Sequence, residues 1–144
     1  MNSSYGRALP LLLLIEGAAR GDTSVRALLE GAPDVLAFTR VATVDEGLRY
    51  LETHAVSAVL LDLSLPEARQ DLSAIARLRR VSPGVAIMLL ARASEQALAR
   101  RAVESGATDY VVTNELDSRR LCQLIAMMFE RRGLIEASHP AGMD

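Results

Sequence analysis

The chain contains no lysine. All of its 16 basic residues are arginine, against 18 acids, for a formal net charge of -2. A slightly acidic balance gives no electrostatic case for nucleic acid or an anionic membrane surface. Tryptophan is absent and aromatics make up 3% of the residues, so the core must be built from Leu, Val, Ile, Ala and Met. The lone cysteine, Cys122, excludes an internal disulfide and a multi-cysteine zinc site, and it points to a reducing compartment, the cytoplasm. No apolar run approaches the roughly 20 residues of a membrane span. Leu11–Ile15 follows Arg7, but Glu16 interrupts the run too early for the apolar centre of a secretion signal.

What is present is an alternation. Residues 11–15, 58–61 and 85–90 are uninterrupted apolar runs, the mark of strands buried on both faces of a parallel sheet. Leu36, Phe38 and Val41 mark a further strand, and residues 110–112 a short fifth. Between them lie helical patterns. Val25, Leu28 and Leu29 follow a start at Gly21-Asp22-Thr23 and precede a stop at Gly31-Ala32-Pro33. Thr43 can cap a helix whose apolar face is Val44, Leu48 and Leu51. Pro66 favours a loop, with helix resuming over 71–80. Ser94 and Glu95 start a helix that Gly106 ends. Asp117 or Ser118 caps a last helix reaching about Arg132, with Gly133 as its break.

The order is strand then helix, five times, which predicts an α/β fold with a single doubly wound parallel sheet of five strands. Residues 11–132 form that unit, after a loose lead-in over 1–10 and before a tail or linker over 133–144. The carboxyl ends of the strands share one edge, where such sheets place their ligands. Glu16, Asp62, Ala91 or Arg92, and Thr113 all fall on it.

Leu-Leu-Asp-Leu-Ser-Leu-Pro at 60–66, Ser-Gly-Ala-Thr-Asp-Tyr at 105–110 and the order of elements resemble the receiver domain of bacterial two-component response regulators. The resemblance spans nearly the whole chain. It implies the flavodoxin-like strand order 2-1-3-4-5 and a phosphoacceptor, Asp62, served by a histidine kinase. It further implies a magnesium site at the acids after the first strand. Glu16 matches one of these, but Gly17 stands where the second is usual. The hydroxyl residue that ends the fourth strand falls at Ala91, or at Leu90 by the local pattern, and neither carries a hydroxyl. The lysine that ends the fifth strand is Thr113. The aromatic switch residue is present as Tyr110.

The expectation is therefore an atypical receiver in phosphorelay signalling. It would act through protein contacts rather than as an enzyme, with weak or absent phosphorylation of Asp62. Magnesium would be held only weakly, by Glu16 and Asp62. Losing the lysine removes a charge-assisted contact of about 1.5–3 kcal/mol. Arg92 lies beside the site, but its planar fork is not a lysine equivalent. The plainer readings stand beside these: Asp62 as a loop cap, Glu16 as a solvated strand-end acid, Arg92 as a solvated loop charge and Tyr110 as a packing residue. A conventional phosphoacceptor is the alternative. A flavodoxin-like enzyme is remote, because no glycine-rich phosphate loop follows the first strand.

The last helix carries more apolar side chains than one stripe needs. Leu121, Ile125 and Met128 suffice to face the sheet. That leaves Cys122, Ala126, Met127 and Phe129 as an expected interaction face, for a homodimer or a signalling partner.

Overall fold

The computed structural model describes residues 11–17, 25–30, 37–69, 72–114 and 116–131. Five strands run β1 (Leu11–Ile15), β2 (Ala37–Val41), β3 (Ala58–Asp62), β4 (Ala86–Ala91) and β5 (Asp109–Val112). They form one parallel sheet in the order β2-β1-β3-β4-β5. The expected fold class and strand order are both observed. The expected helix start at Gly21-Asp22-Thr23, the stop at Gly31-Ala32-Pro33, and Leu36, Asp71 and Gly133 lie outside the described residues.

Helices α1 (Val25–Glu30), α2 (Val44–Thr53), α3 (Pro66–Arg69), α4 (Ser73–Val81), α5 (Gln96–Glu104) and α6 (Ser118–Arg131) fill the connections. Each strand divides its side chains between two cores. Leu13, Ile15, Val59, Leu61, Ile87 and Leu89 face α2, α4 and α5. Leu12, Leu14, Leu60, Met88 and Leu90 face α1 and α6. This two-sided burial is why the runs do not alternate with polar residues. The two edge strands, β2 and β5, have no fully buried residue.

Local chemistry sets the boundaries. Thr43 Oγ1 accepts from Glu46 N at 3.1 Å and caps α2. Gly47 lets α2 approach β1, since a Cβ there would lie 2.6 Å from Ile15 Cδ1. Gly106, at φ 126°, takes the left-handed turn that ends α5. Asp117 Oδ1 accepts from Arg120 N at 2.8 Å, so Asp117 caps α6.

Two expectations need correction. Pro66 does not sit in a loop but opens the short helix α3, where its fixed φ suits the first turn and its missing N–H costs nothing. The segment beginning at Ser94 does not start α5 directly. Ala93–Glu95 forms one 3₁₀ turn that leads into it.

Candidate functional site

The carboxyl rim of the sheet carries the candidate residues. Register pairs Ile15 with Leu61 and Asp62 with Leu90. Glu16 therefore follows β1 beside Asp62, which closes β3, and by alternation both carboxylates lie on the α1–α6 side. The two expected acids are brought to neighbouring strand ends, and each is only 1% exposed.

Both carboxylates are engaged by the chain itself. Glu16 Oε2 accepts from Val25 N at 2.7 Å and its Oε1 from Arg26 N at 3.2 Å. It therefore satisfies free amides in the first turn of α1, where a negative charge is favoured. Asp62 Oδ1 accepts from both the amide of Ser64, at 2.9 Å, and its hydroxyl, at 2.7 Å. Buried carboxylates need such partners. Ser64 follows Asp62 by two residues, a spacing at which an Asp commonly closes a turn, so this contact was readable from the sequence.

Leu65 comes close to Gly17. A Cβ on Gly17 would lie 3.3 Å from Leu65 Cδ2, so the place of a second acid borders an aliphatic side chain. Among the described residues no group of three or more His, Cys, Asp or Glu could hold a metal ion. Glu16 is committed to the α1 amides and Asp62 Oδ1 to Ser64, so a magnesium ion held by these two carboxylates and water would have to compete with those bonds.

Ala91 is fully buried on the face that carries α5, and Leu90 is 1% exposed on the face that carries α6. Either way, an aliphatic group ends β4. Thr113 N donates to Ala91 O at 2.8 Å, and Thr113 Oγ1 donates to the same oxygen at 3.4 Å. Asn114 Oδ1 accepts from Ala93 N at 2.8 Å. Glu95, 6% exposed, takes Arg92 N on its Oε1 at 2.8 Å and returns its own amide to Arg92 O at 2.8 Å. The loop after β4 is thus fastened both to itself and to the loop after β5. Arg92 itself is exposed and forms no ion pair among the described residues. Tyr110 is half-buried, packed against the core under α5, and its hydroxyl makes no hydrogen bond among the described residues.

Ser64 and Asn114 do structural work that was not assigned from the sequence, and Glu95, expected to help start a helix, also ties back the loop before it. That tie could have been found, because Glu95 stands three residues beyond Arg92 at the reciprocal-cap spacing. Asn114 could not, because its partner Ala93 is 21 residues away.

The family model for the response regulator receiver domain matches residues 12–126 of the 144. The chain belongs to the response regulator receiver family. This receiver is similar in fold to a response regulator receiver domain protein from Clostridium thermocellum. They share 20% identity at a TM-score of 0.72, over 88% of this chain and 98% of that one. A LuxR family DNA-binding response regulator from Silicibacter pomeroyi is 24% identical at a TM-score of 0.65, over 88% of this chain and 100% of that one. The receiver domain of a sensor histidine kinase from Pseudomonas aeruginosa is 24% identical at a TM-score of 0.66, over 88% and 99%. Its structure has a magnesium ion coordinated in the active-site cleft. Among curated proteins, no sequence matches this receiver significantly.

The last helix of the receiver corrects the expected interaction face. Phe129 is 2% exposed and belongs to the core with Leu121, Ile125 and Met128. These four stand at i, i+4, i+7 and i+8, so the buried stripe of α6 is one residue wider than expected. Cys122 and Ala126 are half-buried, while Met127 is 51% exposed. Burial pushes the Cys122 thiol above its usual range, which makes it a poor nucleophile near neutral pH. No described helix is long and apolar enough to cross a membrane.

Proposed function

We propose that this receiver is an atypical signalling module that works by protein contact, with phosphorylation at Asp62 weak or absent. The observation that carries the reading is that the rim groups are spent on holding the fold. Glu16 caps α1, Asp62 closes its own loop, and Thr113 and Asn114 clamp the loop after β4. A receiver switches when a new group at the rim biases a two-state element. Here the aliphatic Ala91 offers that group nothing to bind, and the loop that would move is already tied.

Magnesium binds weakly at best on this reading, because recruiting Glu16 exposes the α1 amides it now satisfies. The domain is not an enzyme. Its partners are a histidine kinase or another signalling protein, or a second copy through the α6 surface around Cys122, Ala126 and Met127. Neither nucleic acid nor membrane is a partner, and the location is cytoplasmic. The test is direct: incubation with magnesium and acetyl phosphate, followed by intact mass measurement. Little or no mass gain of one phosphoryl group is expected. A near-complete gain that Asp62→Asn abolishes would establish the conventional phosphoacceptor instead.

A further inference from the structure

Three amides hold the loop after Asp62. Leu63 N donates to Leu90 O at 3.0 Å, Leu65 N donates to Asp62 O at 3.2 Å, and Ser64 N donates to Asp62 Oδ1 at 2.9 Å. The last of these is the turn closure that an aspartate makes to an amide two residues on. The chain then enters α3 at Pro66.

The Ser64 hydroxyl adds a fourth bond, to the same Asp62 Oδ1, at 2.7 Å. At that length, and with an ionised acceptor, it is a charge-assisted bond. A carboxylate oxygen offers two lone-pair sites, and Ser64 fills both of them on Oδ1. Closing the turn does not require the hydroxyl, because the amide already does so. What the hydroxyl does is occupy an oxygen that a metal ion or a phosphorus atom would otherwise use.

We propose that Ser64 is a positioning residue whose hydroxyl holds Asp62 Oδ1 out of reaction. The inference rests on the reading of Asp62 as the phosphoacceptor and names the group that weakens it. Oδ1 reacts only after it releases the hydroxyl. It then attacks the phosphorus of an acyl phosphate donor. The new O–P bond forms as the donor's O–P bond breaks, and the donor carboxylate leaves with the electron pair. No proton changes hands. Magnesium meets the same competitor, since it binds through carboxylate oxygens. A charge-assisted bond is worth about tenfold or more in that competition.

Ser64→Ala and Ser64→Thr test this in the whole chain. Alanine removes the hydroxyl and leaves all three amide bonds, so the loop keeps its path, whereas threonine retains a hydroxyl. Titration with magnesium alone, followed by the amide shifts of Leu63 and Leu65, should show about tenfold tighter binding in Ser64→Ala and no change in Ser64→Thr. The initial rate of mass gain with acetyl phosphate and magnesium should rise by a similar factor in Ser64→Ala. Adding Asp62→Asn should abolish that rise. Equal affinities and rates in the wild type and Ser64→Ala, or an equal gain in Ser64→Thr, would overturn the inference. Fast labelling of the wild type would instead overturn the reading of weak phosphorylation, and the ratio of the two rates would still decide the role of Ser64.

Discussion

Glu16 is the residue on which the two readings of the rim diverge. A metal-binding acid should be dispensable for folding, whereas a helix cap should not. Glu16→Ala leaves the buried amide of Val25 without its 2.7 Å partner. Losing such a bond costs about 1–3 kcal/mol. A lower midpoint in urea unfolding, with faster hydrogen exchange at Val25 and Arg26, is the expected outcome. An unchanged midpoint would return Glu16 to the pool of free carboxylates. At this scale the sequence was informative about place. A run of Leu and Ile that stops at an acid puts the acid at a strand end, and Glu16 and Asp62 are there. It was silent about occupation, because the amides that hold Glu16 lie nine and ten residues away, on a helix whose docking is tertiary.

Among the elements, the β4–α5 loop is the one on which the proposed loss of switching rests. Asn114 and Thr113 fasten it from the loop after β5 through Ala93 N and Ala91 O. Asn114→Ala removes one of these ties at an exposed site, for a loss of about 1 kcal/mol. Amide exchange should rise at Ala93 and stay unchanged in β4 at Leu89, which separates a loosened loop from a loosened sheet. Exchange at Ala93 equal to that of the wild type would mean that the loop is held by something else. The five strands were legible because burial on both faces leaves an unbroken apolar run. Helix α3 was not, since Pro66 serves equally well in a loop or in a first helical turn. Phe129 was misplaced because two adjacent apolar residues near a helix end, Met128 and Phe129, can share the stripe or divide between core and solvent. Only the partner surface decides, and here it takes both.

For the whole molecule, the question is what the outer surface of α6 meets. With Phe129 in the core, Met127 is the large apolar side chain left exposed among the described residues. It lines a groove of about 420 Å3 with Tyr110, Val112, Arg120 and Leu124. A dimer through this surface predicts a concentration-dependent mass by light scattering that Met127→Glu abolishes. A monomer mass at all concentrations would rule out a dimer through this surface. Neither result touches the fold, which rests on the two cores.

The claim beneath all of this is that the rim is already closed before any phosphoryl group arrives. Beryllium fluoride with magnesium imitates the phosphorylated carboxylate, so amide chemical shifts in its presence test that claim most directly. The amides of Ala93, Thr113 and Asn114 should stay where they are, with changes confined to the neighbourhood of Asp62. Large saturable shifts at those three positions, running on through Tyr110 into α5, would contradict it.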